Sequence, residues 1–336
     1  MRKGDYVTPI LIDGNNLIKR ACMASALDDL KAGGVFTGGI YGTLNSLASF
    51  LNMPEVMAGP IWCFMDGGTP PFRLKLLPEY KSKRAEKRDL LPPAEQKKWL
   101  QQFVLSGEML ELLGVSCIKY KNFEADDVVA AAVRLCVEAG HVPVVVSSDK
   151  DLWQVVRMGA VVYDLANDRW VMDENFEELA GTRPETYLLY RTLVGDTSDS
   201  IQGCRGCGKG TAPKVIAELH EALGDDLYGY DPLAQLDFVR AVITEKPEKE
   251  RKAYERNFLD DYGRLVNVMK GIDLSASFTD IDDLRAKMQT RLPVQMKKLL
   301  QLAVKLKFSS VMGSPQRYIR PFSEAQERCK QPVFPA

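Results

Sequence analysis

The chain has 336 residues, 46% of them hydrophobic and 26% charged, with a net charge of -1. This is the balance of an ordinary folded globular protein, and the length exceeds a single core, so two domains or one large domain with an extension are expected. No apolar run reaches about 18 residues, the opening MRKGDYVTPI shows no secretory pattern, and seven scattered cysteines fit a reducing compartment; membrane, secreted and disulfide-framework classes are set aside, and the cytoplasm is expected.

In chain order, the first strand pattern is VTPILID, ending at Asp13, and the second is GPIWCFMD, ending at Asp66. A basic stretch follows: residues 73–98 hold Arg73, Lys75, Lys81, Lys83, Arg84, Lys87, Arg88, Lys97 and Lys98 against four acids. From Arg84 to Gly114 come AEKRDLL, a Pro-Pro break at 92–93 and the helical pattern AEQKKWLQQFVLSGEMLELLG. The short run VSCIKY precedes NFEADDVVAAAVRLC, where Glu124, Asp126 and Asp127 open an apolar helical pattern. A third strand pattern, VPVVVSSD, ends at Asp149, with Asp151 two residues on.

Near-continuous β-branched runs separated by helical patterns indicate strands buried on both faces of a parallel sheet. Open α/β sheets place ligands beyond the carboxyl ends of their strands, so three aspartates are expected at one edge. An aspartate after a strand is ordinarily a helix cap or turn residue, and acids in a first helical turn ordinarily answer the helix dipole. Three such strand ends, and three carboxylates within four residues that repel one another without a cation, argue for more.

The segment GDTSDS adds Asp196 and Asp199. The inventory is then nine carboxylates, in a chain with two histidines, His141 and His220. Oxygen-only donor sets select hard cations, so two or more Mg2+ ions are expected, with Mn2+ substituting. Paired hard cations about 4 Å apart are the apparatus of phosphodiester hydrolysis, which also needs positive charge on the phosphate. YKSKR, residues 80–84, is placed to supply it.

Taken together, LIDGNN, FMDGG with YKSKR, FEADD, SSDKD and GDTSDSIQG with GCGKGTA resemble the 5'-nuclease (flap endonuclease) superfamily, in particular the bacteriophage exonucleases and the 5'-nuclease domain of bacterial DNA polymerase I. The motifs occur in that family's order across residues 13–212. The resemblance implies an α/β fold: a central, mostly parallel sheet flanked by helices (a PIN-like, 5'-nuclease core), a helical arch, and a C-terminal helical region with a helix-hairpin-helix motif. The expected division is a nuclease core over 1–185 with the arch at about 80–113, a DNA-binding helical region over 186–308, and a tail over 309–336.

By the same resemblance Asp13, Asp66, Glu124, Asp126 and Asp127 match a first metal group, and Asp149, Asp151, Asp196 and Asp199 a second. Asp13, Asp66, Glu124, Asp126 and Asp149, with Lys81 and Arg84, are the expected catalytic set. Lys81 and Arg84 match the basic residues at the base of the arch, with Lys81 on the scissile phosphate. Lys83 is expected on the DNA, and Tyr80 is expected either to stack on a base or to be an ordinary packed tyrosine. The implied products carry a 5'-phosphate and a 3'-hydroxyl.

The stretch GCRGCGKGTA, 203–212, admits several readings. As a phosphate-binding loop it lacks a preceding strand and a Ser or Thr after Lys209; as a zinc site its C-x-x-C lacks a second ligand pair; a redox pair would need a thiol activated at a helix N-terminus. The spacing Gly206, Gly208, Lys209, Gly210, Thr211, Ala212 instead matches a helix-hairpin-helix, with Cys207 in the apolar slot. Its glycines and the following helix are suited to a nucleic-acid backbone, independent of base sequence, and the resemblance adds K+ as a cofactor there. Pro213 requires the helix to begin close by, and Cys204 has no counterpart.

Beyond His220 the text is amphipathic, as in YERNFLDDYGRLVNVMKGI. Residues 285–307 carry seven basic residues and no acid, suited to lie along a duplex, and 309–336 read as irregular, a surface strap or partner-binding tail. The reading is a monomeric, metal-dependent 5'-3' exonuclease or flap endonuclease of replication or repair, acting on 5' flaps, nicks, 5' ends and RNA paired to DNA. The alternatives are a PIN-like RNase and a non-catalytic DNA-structure-binding protein of the same fold.

Overall fold

The computed structural model describes residues 7–24, 30–329 and 333–334, with the side chains of 85 and 87–89 outside the description, Lys87 and Arg88 of the basic stretch among them. In chain order the elements are β1 (Thr8–Asp13), α1 (Gly14–Met23), β2 (Lys31–Ala32), β3 (Val35–Phe36), α2 (Gly38–Leu51), β4 (Ala58–Met65), α3 (Pro71–Leu76), α4 (Ser82–Asp89), α5 (Pro93–Leu112), β5 (Ser116–Lys119), α6 (Ala125–Glu138) and β6 (Val144–Val146). A 3-10 turn over Lys150–Val156 leads to β7 (Val161–Asp164) and β8 (Arg169–Val171). Then come α7 (Asp173–Ala180), α8 (Tyr187–Val194), β9 (Gly195–Asp196), β10 (Ile201–Gln202), α9 (Ala212–Leu223), α10 (Pro232–Glu245), α11 (Ala253–Ile272), α12 (Ile281–Gln289), α13 (Met296–Lys305), α14 (Ser309–Gly313) and α15 (Pro315–Arg328). Among these, no helix is long and apolar enough to cross a membrane.

The sheet runs β5-β4-β1-β6-β7-β8. Strand β1 pairs in parallel with β4 on one side and β6 on the other, β4 with β5, and β6 with β7. The chain thus moves outward from β1 through β4 to β5, then returns across β1 to β6. That reversal is the kind of switch point where open α/β sheets bind ligands, and it sits where Asp66, Asp13 and Asp149 follow their strands.

Alternation decides what each strand buries. Ile10, Ile12, Ile61, Cys63, Val144 and Val146 enter one core with α2, α5, α13, α14 and α15, while α6 packs on the opposite face against β1 and β4. Both faces are covered, which is why Leu11 and Val145 are as inaccessible as Ile10 and Val146 and the strands read as unbroken apolar runs.

Two compact units emerge, and they run along the chain differently from the expected boundaries at 185 and 308. The first unit comprises the chain up to Gly68, Leu91–Trp170 and the chain from Ser275 onward; the second comprises Thr69–Leu90 and Val171–Leu274. The segment expected to be irregular is mostly helix: α15 sinks Tyr318, Ile319, Phe322 and Ala325 into the first unit's core. Their three- and four-residue spacing is an amphipathic stripe that Pro321 inside it and the polar residues around it obscure in the sequence. The second unit gathers α8, α9, α10 and α11 around Leu189, Leu193, Leu219, Leu236, Leu265 and Met269.

Candidate active site

Asp13 terminates β1 and caps α1, its Oδ1 accepting from the Asn16 N–H at 3.0 Å. Its Oδ2 accepts from the Ser147 hydroxyl at 2.9 Å. Only 7% of Asp13 is exposed. Burial pushes its carboxyl up from the ordinary 3.8 to about 7; the charges of Asp149 and Asp66 push the same way, against the hydrogen bonds from Asn16 and Ser147.

Asp66 follows β4. Its N–H donates to Asn15 Oδ1 at 2.9 Å, and its own Oδ1 accepts from the Ala125 N–H at 2.8 Å, which seats it on the first turn of α6. The following Gly67 makes this possible: it bonds Phe123 and Asn122 through the backbone, and a Cβ there would stand 1.6 Å from the Tyr120 carbonyl oxygen. The glycine after FMD therefore lets the end of β4 lie directly on the loop that carries Glu124.

Glu124 is the N-cap of α6. Its N–H donates to Asp127 Oδ2 at 3.2 Å, and the Asp127 N–H donates to Asp126 Oδ1 at 2.8 Å. Glu124, Asp126 and Asp127 each bring a carboxylate oxygen within 4.8 Å of the others, with Glu124 and Asp127 buried. Half-buried Asp149 accepts the Asp151 N–H at 2.9 Å and donates its own N–H to Ser147 Oγ at 3.0 Å. The helix dipole of α6 offsets a fraction of this accumulated negative charge.

Asp196 and Asp199 lie in the second unit, each with cations of that unit. Asp196 takes Ser198 N–H and Oγ, both at 2.7 Å, and Arg191 at 3.0 Å. Burial works to raise its carboxyl, but Ser198 and Arg191 prevail and hold it below the usual range. Asp199, 4% exposed, pairs with Lys81 Nζ at 3.9 Å and with the Arg84 guanidinium. The Lys81 N–H also donates to the Asp199 carbonyl at 2.8 Å, from a left-handed backbone at φ 56°. Lys83 is exposed beside them.

The stretch 203–212 forms a turn leading into α9. The Cys207 N–H donates to the Cys204 carbonyl at 3.0 Å around Gly206, whose φ of 83° suits glycine. Cys204 and Cys207 both enter the second unit's core, so the unassigned Cys204 is a second apolar filler under the turn. Gly208, Lys209 and Gly210 are exposed, and a Cβ on either glycine would meet nothing within 4 Å. Thr211 N–H donates back to the Gly208 carbonyl at 2.9 Å. Pro213 is tolerated because α9 starts at Ala212, which leaves its missing N–H among the donors a first turn never uses.

A family model described as the 5'-3' exonuclease, N-terminal resolvase-like domain, matches residues 8–181. The chain belongs to the 5'-3' exonuclease family. The 5'-3' exonuclease of Bacillus subtilis (strain 168) is 30% identical over 216 residues, 62% of this chain and 69% of that one. DNA polymerase I of Rhizobium leguminosarum is 32% identical over 230 residues, 67% of this chain but only 21% of the polymerase. Among solved structures, the bacteriophage T5 flap endonuclease in a pseudo-enzyme-product complex with DNA and metal ions is 20% identical, with a TM-score of 0.62 over 89% of this chain and 99% of that one. That last likeness is one of fold.

Of the two readings of Tyr80, the packing favours the second. Tyr80 is 7% exposed and packs in the second unit's core, its ring 5.4 Å from the Arg73 guanidinium and 4.9 Å from Lys81 Nζ. It is a packed tyrosine and offers no face to a base. Sequence reasoning also passed over Asn15, Asn16, Ser147 and Arg191. The first three stand inside the quoted motifs LIDGNN and SSDKD, and their adjacency to the acids was the available signal. Arg191 carries none, since only the fold brings it onto Asp196.

Proposed function

We propose that this member of the 5'-3' exonuclease family is a structure-specific 5' nuclease that needs divalent cations and hydrolyses phosphodiester bonds in DNA, at 5' flaps, nicks and 5' ends, including RNA paired to DNA, in replication or repair. The observation that carries the reading is the set of carboxylates on the first unit: Asp13 and Asp66 with Asp149 beyond adjacent parallel strands, and Glu124, Asp126 and Asp127 on one helix turn, with burial and then the charges of Asp149 and Asp66 raising the Asp13 carboxyl to about 7. The donor set fits hard cations, being all oxygen and partly buried, and Mg2+ with Mn2+ as substitute is the assignment.

Asp13, Asp66, Glu124, Asp126, Asp127, Asp149 and Asp151 would hold such ions, and Asp196 and Asp199 are retained as ligands in this proposal. Bound hard cations supply a water of lowered pKa and charge stabilisation for the departing oxygen. The chain's own residues do the remainder. Lys81 and Arg84, oriented by Asp199, offer positive charge to the phosphate; Gly208, Lys209 and Gly210 present open backbone and an ammonium to a strand, reading no base; K+ at that hairpin belongs to the same proposal. The T5 complex with DNA and metal ions supports both partners by its fold.

The test compares wild type with Asp149→Asn and Asp196→Asn on a 5'-labelled flap duplex, in Mg2+ and in Ca2+. Cleavage by the wild type in Mg2+ and its loss by roughly a hundredfold or more in each variant are expected. A wild type without cleavage, or cleavage undiminished in both variants, sinks the proposal.

A further inference from the structure

Three neutral side chains knit the strand ends together where the sheet's own bonds stop. The register of β1 with β4 runs to Asp13 opposite Phe64, and that of β1 with β6 to Ile12 opposite Val146. Asp66 therefore lies two residues past the last β4 residue paired with β1, and Asp149 three past the last of β6. Neighbouring strands are about 4.8 Å apart, so carboxylates at such ends repel, and beyond those pairs no ladder bond ties β1 to either neighbour.

Side chains replace the missing ladder. Asn15 and Asn16 are successive residues in the first turn of α1, about 100° apart around the helix, and reach to opposite sides of β1. Asn15 Oδ1 accepts the Asp66 N–H at 2.9 Å beyond β4, and Asn16 Oδ1 accepts the Ser148 N–H at 3.1 Å beyond β6. Ser147, 1% exposed, closes the gap: its hydroxyl donates to Asp13 Oδ2 at 2.9 Å and accepts the Asp149 N–H at 3.0 Å. A hydroxyl has one proton and two lone pairs, so both bonds are made at once, and no charge is added.

We propose that Asn15, Asn16 and Ser147 are positioning residues that fix the strand ends carrying Asp66, Asp13 and Asp149 before any ion arrives. They act by holding the ligand-bearing backbone still. The inference rests on the metal-dependent reading above. It goes beyond that reading by assigning the ion affinity of the site partly to uncharged residues. Groups that orient metal ligands in this way characteristically change affinity ten- to a hundredfold when removed.

Position 147 offers a near-isosteric pair, Ser147→Thr and Ser147→Val, differing in the hydroxyl alone, and Asn16→Ala removes the acceptor on the β6 side. The intact chain is titrated with Mn2+ by calorimetry and by electron paramagnetic resonance, with folding checked by circular dichroism. Ser147→Thr is expected to bind like wild type, and Ser147→Val and Asn16→Ala about tenfold or more weaker. On the flap substrate the two weak binders are expected to need more Mg2+ for half-maximal rate while nearing the wild-type rate at saturation, a split that general loss of stability does not produce. Equal Mn2+ affinity in the Thr and Val variants, or wild-type affinity in Asn16→Ala, overturns the inference. A wild type that binds no Mn2+ overturns the functional reading beneath it.

Discussion

Asp13→Asn separates the electrostatic burden of the candidate site from its use. A carboxyl raised from 3.8 to about 7 costs the folded chain about 4 kcal/mol to ionise. The sign follows from proton uptake: between those pH values the folded chain binds more protons than the unfolded one, so this contribution to stability is fully present below 3.8 and lost as pH rises through 7. The asparagine has no charge to bury, but it cannot accept the Ser147 hydroxyl while its carbonyl serves Asn16, a loss of about 1 kcal/mol. In EDTA the variant is therefore expected to be about 3 kcal/mol more stable than wild type near pH 8 and about 1 kcal/mol less stable near pH 4. All four tryptophans, Trp62, Trp99, Trp153 and Trp170, lie in the first unit, so denaturant unfolding followed by tryptophan fluorescence reports on that unit. Adding Mg2+ should reverse the order near pH 8, because only the wild type gains strongly from binding. Equal stability of the two proteins in EDTA across that pH range refutes the reasoning.

Gly67→Ala sets a Cβ against backbone at 1.6 Å, which no side-chain movement relieves; a loss of about 2 to 3 kcal/mol is expected by the same fluorescence assay, together with loss of cleavage, since Asp66 is drawn off α6. At the hairpin, Lys209→Ala is expected to weaken binding to duplex more than to single-stranded DNA and to lower the slope of log affinity against log salt by about 1, measured by fluorescence anisotropy. Equal losses on both substrates would remove the duplex-gripping role from this hairpin.

Much of the candidate site was legible because it rests on local rules. A strand buried on both faces must be apolar throughout, so the first charged residue beyond it marks its carboxyl end; VTPILID, GPIWCFMD and VPVVVSSD announce Asp13, Asp66 and Asp149 in this way. Glu124, Asp126 and Asp127 declare a helix start by their place before an apolar 3.6-residue pattern, and the glycines around Lys209 declare a turn. These features depend on chain neighbours, which the sequence lists in order.

Tertiary structure decided what depends on distant partners. Tyr80 reads equally well as a stacking platform or a core residue, and only the helices of the second unit, by enclosing it, settle that it is core. Lys81 and Arg84 read as charge held ready for phosphate; the fold sets them on Asp199, more than a hundred residues away, and gives Arg191 to Asp196. The return of α15 to the first unit was hidden because its apolar stripe gains meaning only against a surface that needs covering. Sequence determined which residues are candidates for the chemistry, since strand, cap and turn rules are short-range; packing determined which of them are buried or paired, since burial and pairing belong to residues far apart in the chain.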